Sequence, residues 1–282
     1  MNTRQYSSAA QYLEQALDHQ RAVESSIKGD LIGLQYKLGV TYTLSGEIDK
    51  AVDCFEECLE TLNEAPGSPG PEAIHSLGRL ANLYHVKGLM QEDNGFMDEL
   101  LEIANTYFTK AMNMDHHASV CVQYANFLTQ QGQPADALNI LLPFLFGTKV
   151  RTDKEVSYSG AEQAILPEHL QNEADDIDTV TLETKVLAYF LGILCFKELK
   201  LTKDADDCLE AMYKLVLKSD CYFSSALMGY AFMEMVMYQE AAECFAKAAQ
   251  LQQDAALPAI NCCLCLYLNT YQVNVTNIYI YL

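Results

Sequence analysis

The chain has 282 residues, half of them hydrophobic and a fifth charged, a composition suited to a folded protein of one or two domains or a single repeat array. Its 38 acidic residues against 18 basic ones leave a formal net charge of −20, which excludes phosphate-driven nucleic-acid binding and disfavours an anionic membrane surface. No apolar run approaches the roughly 20 residues of a membrane span, and the polar, periodic N-terminus lacks a signal-peptide core, so the ten cysteines read as free thiols in a reducing, cytoplasmic setting.

One pattern recurs along the chain: a small residue, a large apolar residue four later, then a small or apolar residue three further on. It first occurs as Ala51–Phe55–Cys58, preceded by Gly39 on a separate helical segment and by a turn at Leu44-Ser-Gly-Glu47. The Pro66–Pro71 stretch is a turn-rich connector. Ala104–Phe108–Ala111 follows, with Ala81 upstream and eleven extra residues spread over Val86–Leu101. Ala137–Leu141–Phe144 pairs with Ala125 across Gln130-Gln-Gly-Gln-Pro134. Steps of four and three put each triplet on one helical face, and the small residues let two antiparallel helices approach closely.

Residues 147–184 carry no repeat signature and are strongly acidic, including Glu173-Ala-Asp-Asp-Ile-Asp178. They read as a solvated loop with a short helix near Ala161–Asn172, or as a regulatory or partner-contacting arm. The pattern resumes as Ala205–Leu209–Met212 with Gly192, one residue out of phase, which predicts a longer turn. It ends as Ala241–Phe245–Ala248 with Gly229. The uncharged, β-branched and aromatic tail, 269–282, favours strand over helix. It is expected to be either a truncated or altered end or a functional tail covering the last helix pair. The organisation is therefore 1–146 repeat units, 147–184 insertion, 185–268 repeat units and 269–282 tail.

With Leu38-Gly39-Val-Thr-Tyr42, Gly46, Ala51, Phe55 and Cys58 in place, the sequence resembles the tetratricopeptide-repeat (TPR) superfamily, over roughly residues 9–268. The family's early Trp is absent, and its closing Pro mostly so. The resemblance implies an all-α, right-handed superhelical solenoid of antiparallel helix pairs. It also implies a non-catalytic adaptor or scaffold holding a protein or peptide segment in its concave groove. The positions it assigns to that groove include Asn82, His85 and Asn126 in a mixed polar N-terminal half, and Tyr189, Phe223 and Tyr230 in an aromatic C-terminal half. A carboxylate clamp of the co-chaperone type is not expected, because Tyr36, Val40, Gly78 and Val122 stand where its basic residues belong. Asn82 and Asn126 are read either as hydrogen-bonding an extended peptide or as solvated. The aromatic half either grips a hydrophobic helix or is buried inside a tightly wound array.

No phosphate loop, nucleophile elbow or zinc-protease motif is present. Cys262-Cys-Leu-Cys265 lacks a second ligand pair and reads as small core residues, and His116-His117 diverge on a helix, so no catalytic residue, metal site or cofactor is expected. The acidity favours a partner with a basic surface, and self-association remains open. The alternative role is a structural spacer, or a truncated isoform of a subunit of a larger assembly.

Overall fold

A helix stops cleanly where a residue in the left-handed conformation lets the next amides return to its last carbonyls. Gly46 (φ 79°) does this at the first turn: its N–H donates to Thr43 and that of Glu47 to Tyr42. Gly132 (φ 67°) repeats the geometry, with donation to Thr129 and from Gln133 to Leu128. Lys200 (φ 61°) and Val236 (φ 63°) adopt it too, although neither is glycine.

The computed structural model describes residues 3–22, 28–64, 71–114, 117–147, 154–174, 177–252 and 256–280. Helix α1 (Thr3–Ala22) is followed by α2 (Lys28–Ser45) and α3 (Ile48–Glu64), α4 (Pro71–Leu89) and α5 (Asn94–Met114), and α6 (Ala118–Gln130) and α7 (Pro134–Phe146). Strands β1 (Glu155–Ser159) and β2 (Thr179–Glu183) flank a 3-10 turn and the one-turn α8 (Glu168–Gln171). Then come α9 (Thr184–Glu198) with α10 (Thr202–Val216), α11 (Tyr222–Glu234) with α12 (Tyr238–Leu251), and α13 (Ala256–Ile280). The helices pack as successive antiparallel pairs stacked into a solenoid.

The spacing within a pair is set by a small residue against a large one. A Cβ on Gly39 would lie 2.8 Å from the Phe55 ring, and one on Gly229 2.8 Å from the Phe245 ring. Both glycines stand sixteen residues before their ring, so the two units repeat the same contact. The extra residues of the second pair lengthen both helices, and beyond the standard pair a Cβ on Gly88 would lie 3.0 Å from Leu101 of α5. The connector before Pro71 and His116 lie outside the described residues.

Three expectations are corrected. The α9–α10 turn is not longer than the others: Ala205 follows Lys200 by five residues, as Ala51 follows Gly46. The slot seven before that turn is Ile193, and a Cβ on Gly192 would instead lie 2.9 Å from Leu145 of the preceding pair. The stretch from Glu155 to Glu183 is not a solvated loop but a folded hairpin, with Val156 paired to Leu182 and Tyr158 to Val180. These side chains are buried in one apolar core running from Ile74 to Cys265. The tail to Ile280 is helical rather than extended, because a helix nucleated by residues packed on α12 propagates more easily than a strand with nothing to pair with. Its side chains from Tyr271 onward lie outside the described residues.

A β-branched residue at positive φ is strained. Val236→Gly should therefore raise stability by about 1 kcal/mol, and Gly132→Val should lower it by about 1–2 kcal/mol, read as opposite shifts of the urea midpoint.

Candidate functional site

Helices α2, α4, α6, α9 and α11 line the concave face, and the β1–β2 insertion crosses it. Insertion side chains and carbonyls meet groove residues in order along the array. Glu162, fully buried, accepts from Arg79 and from Asn82 Nδ2 (3.0 Å), and also from the Ser159 amide (3.0 Å), which closes a capping box. Asn126 Nδ2 donates to the Ile165 carbonyl at 2.7 Å, and Gln130 Nε2 donates to Ile165 and Leu166. Further along, Tyr222 and Tyr230 (2.9 Å) donate to Glu173. His169 contacts Glu234 at 3.1 Å, and its ring lies against Phe190 and Tyr230. The bond from His169, joined by one from Lys197, holds the Glu234 carboxyl down at about 2 against the desolvation that opposes it.

The positions assigned to the groove thus fall into two sets. Asn82, Asn126 and Tyr230 are buried and hold the chain's own insertion. His85 is buried too, edge-on to Phe127 at 4.9 Å, with no hydrogen-bond partner among the described residues. Burial holds its imidazole neutral, with a pKa lowered to about 4. Tyr189 is half-buried and donates to the Leu145 carbonyl, and Phe223 packs edge-on to Tyr222. Sequence reasoning missed Arg79, Glu162 and Glu173. The period-two apolar pattern at Val156/Tyr158 and Val180/Leu182 was the available signal for the hairpin that carries the two glutamates.

The insertion leaves the N-terminal mouth of the concave face open. A cavity of about 430 Å³ there is lined by Tyr36, His75, Arg79, Gln123 and the first residues of β1. The Gly160 amide bonds Asp178 and the Thr184 amide bonds Lys154, so in this antiparallel register the even-numbered residues of β1 pair with β2. The main-chain groups of Glu155 and Ser157 therefore point away from β2, along the strand edge that borders the cavity. Among the described residues no further strand pairs with that edge, which faces an open chamber of mixed polar and apolar lining.

Elsewhere in the array, burial pushes the thiols of Cys54, Cys208 and Cys244 up to about 12, which favours their protonated form. The described residues contain no cluster of metal-ligating side chains, and no described helix is long and apolar enough to cross a membrane.

A family profile described as tetratricopeptide repeat matches residues 32–61, the span of α2 and α3 and of the Gly39–Phe55 contact. That helix pair thus matches a tetratricopeptide repeat. No curated protein matches it in sequence. Among solved structures, this chain is similar to YrrB, a TPR protein with an unusual peptide-binding site, at 15% identity over 89% of this chain and 97% of that one, with a TM-score of 0.42. A tetratricopeptide repeat protein from Parabacteroides merdae is similar at 13% identity over 93% and 92%, with a TM-score of 0.39.

Two predictions follow from the buried polar groups. Glu162→Ala leaves Arg79 and Asn82 without their acceptor on the concave face, and should cost about 3–5 kcal/mol in denaturant unfolding. For His85, the unfolded chain binds a proton near pH 6.5 and the folded chain only near 4. Its contribution is therefore present above pH 6.5 and is lost as pH falls through that window, up to about 3 kcal/mol. His85→Leu should flatten the stability profile between those pH values, measured by urea titrations across the range.

Proposed function

We propose that this TPR protein is a non-catalytic interaction adaptor that takes an extended segment of a partner protein at the open mouth of its concave face, in a reducing compartment. The observation that carries this reading is the β1 edge at Glu155 and Ser157, unpaired among the described residues and bordering a 430 Å³ cavity. An extended segment added there gains main-chain hydrogen bonds from the strand, while Tyr36, His75 and Gln123 meet its side chains. In this reading Asn82 and Asn126 support the mouth by fixing the insertion beneath it, Tyr230 fixes the insertion farther along at Glu173, His85 packs inside the array against Phe127, and Tyr189 and Phe223 belong to the packing of the later units. The net charge of −20 favours a segment from a basic surface. The filled C-terminal half of the groove favours a second reading, a rigid spacer that contacts partners through its ends.

Ser157→Pro removes an amide that the hairpin ladder does not use, and Gln123→Arg fills the cavity. Affinity purification with mass spectrometry should show the same partner lost from both variants, with helicity and melting unchanged. Retention of every partner by both variants would establish the spacer reading instead.

A further inference from the structure

From α4 onward, each first helix carries a side chain that turns to the second helix of the preceding unit. It stands four residues before the slot that faces the helix's own partner. The slots Ala81, Ala125, Ile193 and Gly229 thus place Leu77, Cys121, Tyr189 and Ser225 there. The side chain meets the residue eight after the alanine of the preceding triplet. Leu77 and Leu59 line one cleft, the Cys121 thiol lies 3.3 Å from the Met112 sulfur, and the Tyr189 hydroxyl donates to the Leu145 carbonyl at 3.3 Å. Tyr189 shows how a ring fills this position. Burial, and then the Cys208 thiol of α10, push its phenol up, so the ring lies between α7 and α10 with its hydroxyl on α7.

In the last groove the same frame surrounds a serine. Tyr213 of α10 stands eight after Ala205, as Leu145 stands eight after Ala137. Cys244 of α12 stands three after Ala241, as Cys208 stands three after Ala205. With Ser225 and Phe232 of α11 they line a mostly apolar cavity of about 170 Å³. Space of that size admits one aromatic ring, since an apolar cavity of about 150 Å³ holds benzene. Ser225 is fully buried, and its hydroxyl has no hydrogen-bond partner among the described residues, whereas Ser224 beside it donates to Glu183. A buried hydroxyl without a partner is costly, so the cavity carries one unmet polar group among its apolar walls. Tyr213 and Phe232 stand edge to face with centroids 5.8 Å apart, which offers an incoming ring aromatic neighbours. At the rim Leu217 is 59% exposed, and Glu240 and Glu243 are exposed beside it.

We propose that this cavity, on the convex side of the array, receives a tyrosine side chain of a partner protein, bonded to the Ser225 hydroxyl and flanked in the partner by basic residues. The partner supplies from outside the ring that Tyr189 supplies from within in the unit before. The Ser225 hydroxyl favours tyrosine over phenylalanine, because only the phenol satisfies it. Glu240 and Glu243 favour Lys or Arg beside that tyrosine. The cavity shares no residue with the concave mouth, so the two sites stand or fall separately.

Three probes test it. They are p-cresol, which is the tyrosine side chain as a free molecule, toluene, which lacks the hydroxyl, and the peptide acetyl-Lys-Tyr-Lys-amide. Each is titrated into the full chain under reducing conditions, with binding read by saturation-transfer NMR. p-Cresol should bind saturably and roughly fivefold tighter than toluene, the worth of one neutral hydrogen bond. Ser225→Ala keeps the room and removes the hydroxyl, so it should bind the two alike. Ser225→Tyr puts the fourth unit's own residue into the cavity and should bind neither, with helicity by circular dichroism unchanged. If that variant unfolds, Ser225→Ala still decides. The peptide should displace p-cresol, and the double variant Glu240→Lys/Glu243→Lys should weaken the peptide while leaving p-cresol as it was. No saturable p-cresol binding, equal affinity of the wild type for p-cresol and toluene, or binding that persists in a helical Ser225→Tyr would each overturn the proposal. A peptide that fails to displace p-cresol would overturn the partner tyrosine and leave a free phenol as the ligand.

Discussion

The close approach of a glycine to an aromatic ring sets the spacing on which this structure depends. With a Cβ position only 2.8 Å from the Phe55 or Phe245 ring, α2 and α11 lie against their partners nearer than any larger side chain permits. That spacing makes each pair a thin, two-layer unit that cannot bury its outer faces alone, so the pairs stack. Stacking in turn lines up the first helices into a concave face, and everything else in the molecule answers the question of what covers it.

The insertion supplies most of that cover. Tyr158, Ile165, Leu166, Leu170 and Leu182 put apolar bulk into the concavity, and the backbone they bring with them is met by Asn126 and Gln130. Two buried carboxylates, Glu162 and Glu173, are each satisfied by more than one donor from the solenoid, which is the condition under which a buried charge is tolerated. Groove side chains that serve recognition in an open solenoid are here committed to an internal segment. What stays available among the described residues is a strand edge at the mouth.

Much of the fold was legible because it is local. The step of four then three, the turn glycines and the small-against-large rule depend only on neighbours in sequence, and they identified five units, one of them read a residue out of phase. Misreadings arose where distant groups decide. Gly192 looks like a repeat slot, but the turn geometry at Lys200 assigns that slot to Ile193. The run from Glu173 to Asp178 looks solvated by composition, yet Glu173 is buried because Tyr222 and Tyr230, some fifty residues away, converge on it. The tail has strand-forming residues, but a helix already packed on α12 continues through them.

The sequence by itself determined the helix pairs, their order, their internal spacing and the position of the insertion, since each rests on periodicity and on the conformational limits of single residues. Only the tertiary structure decided that the insertion enters the concave face and that Asn82, Asn126 and Tyr230 hold it. It also decided which surfaces remain bare. Those outcomes turn on burial and on hydrogen bonds between segments dozens of residues apart, where composition alone assigns an acidic stretch to water and three-dimensional packing assigns it to the core.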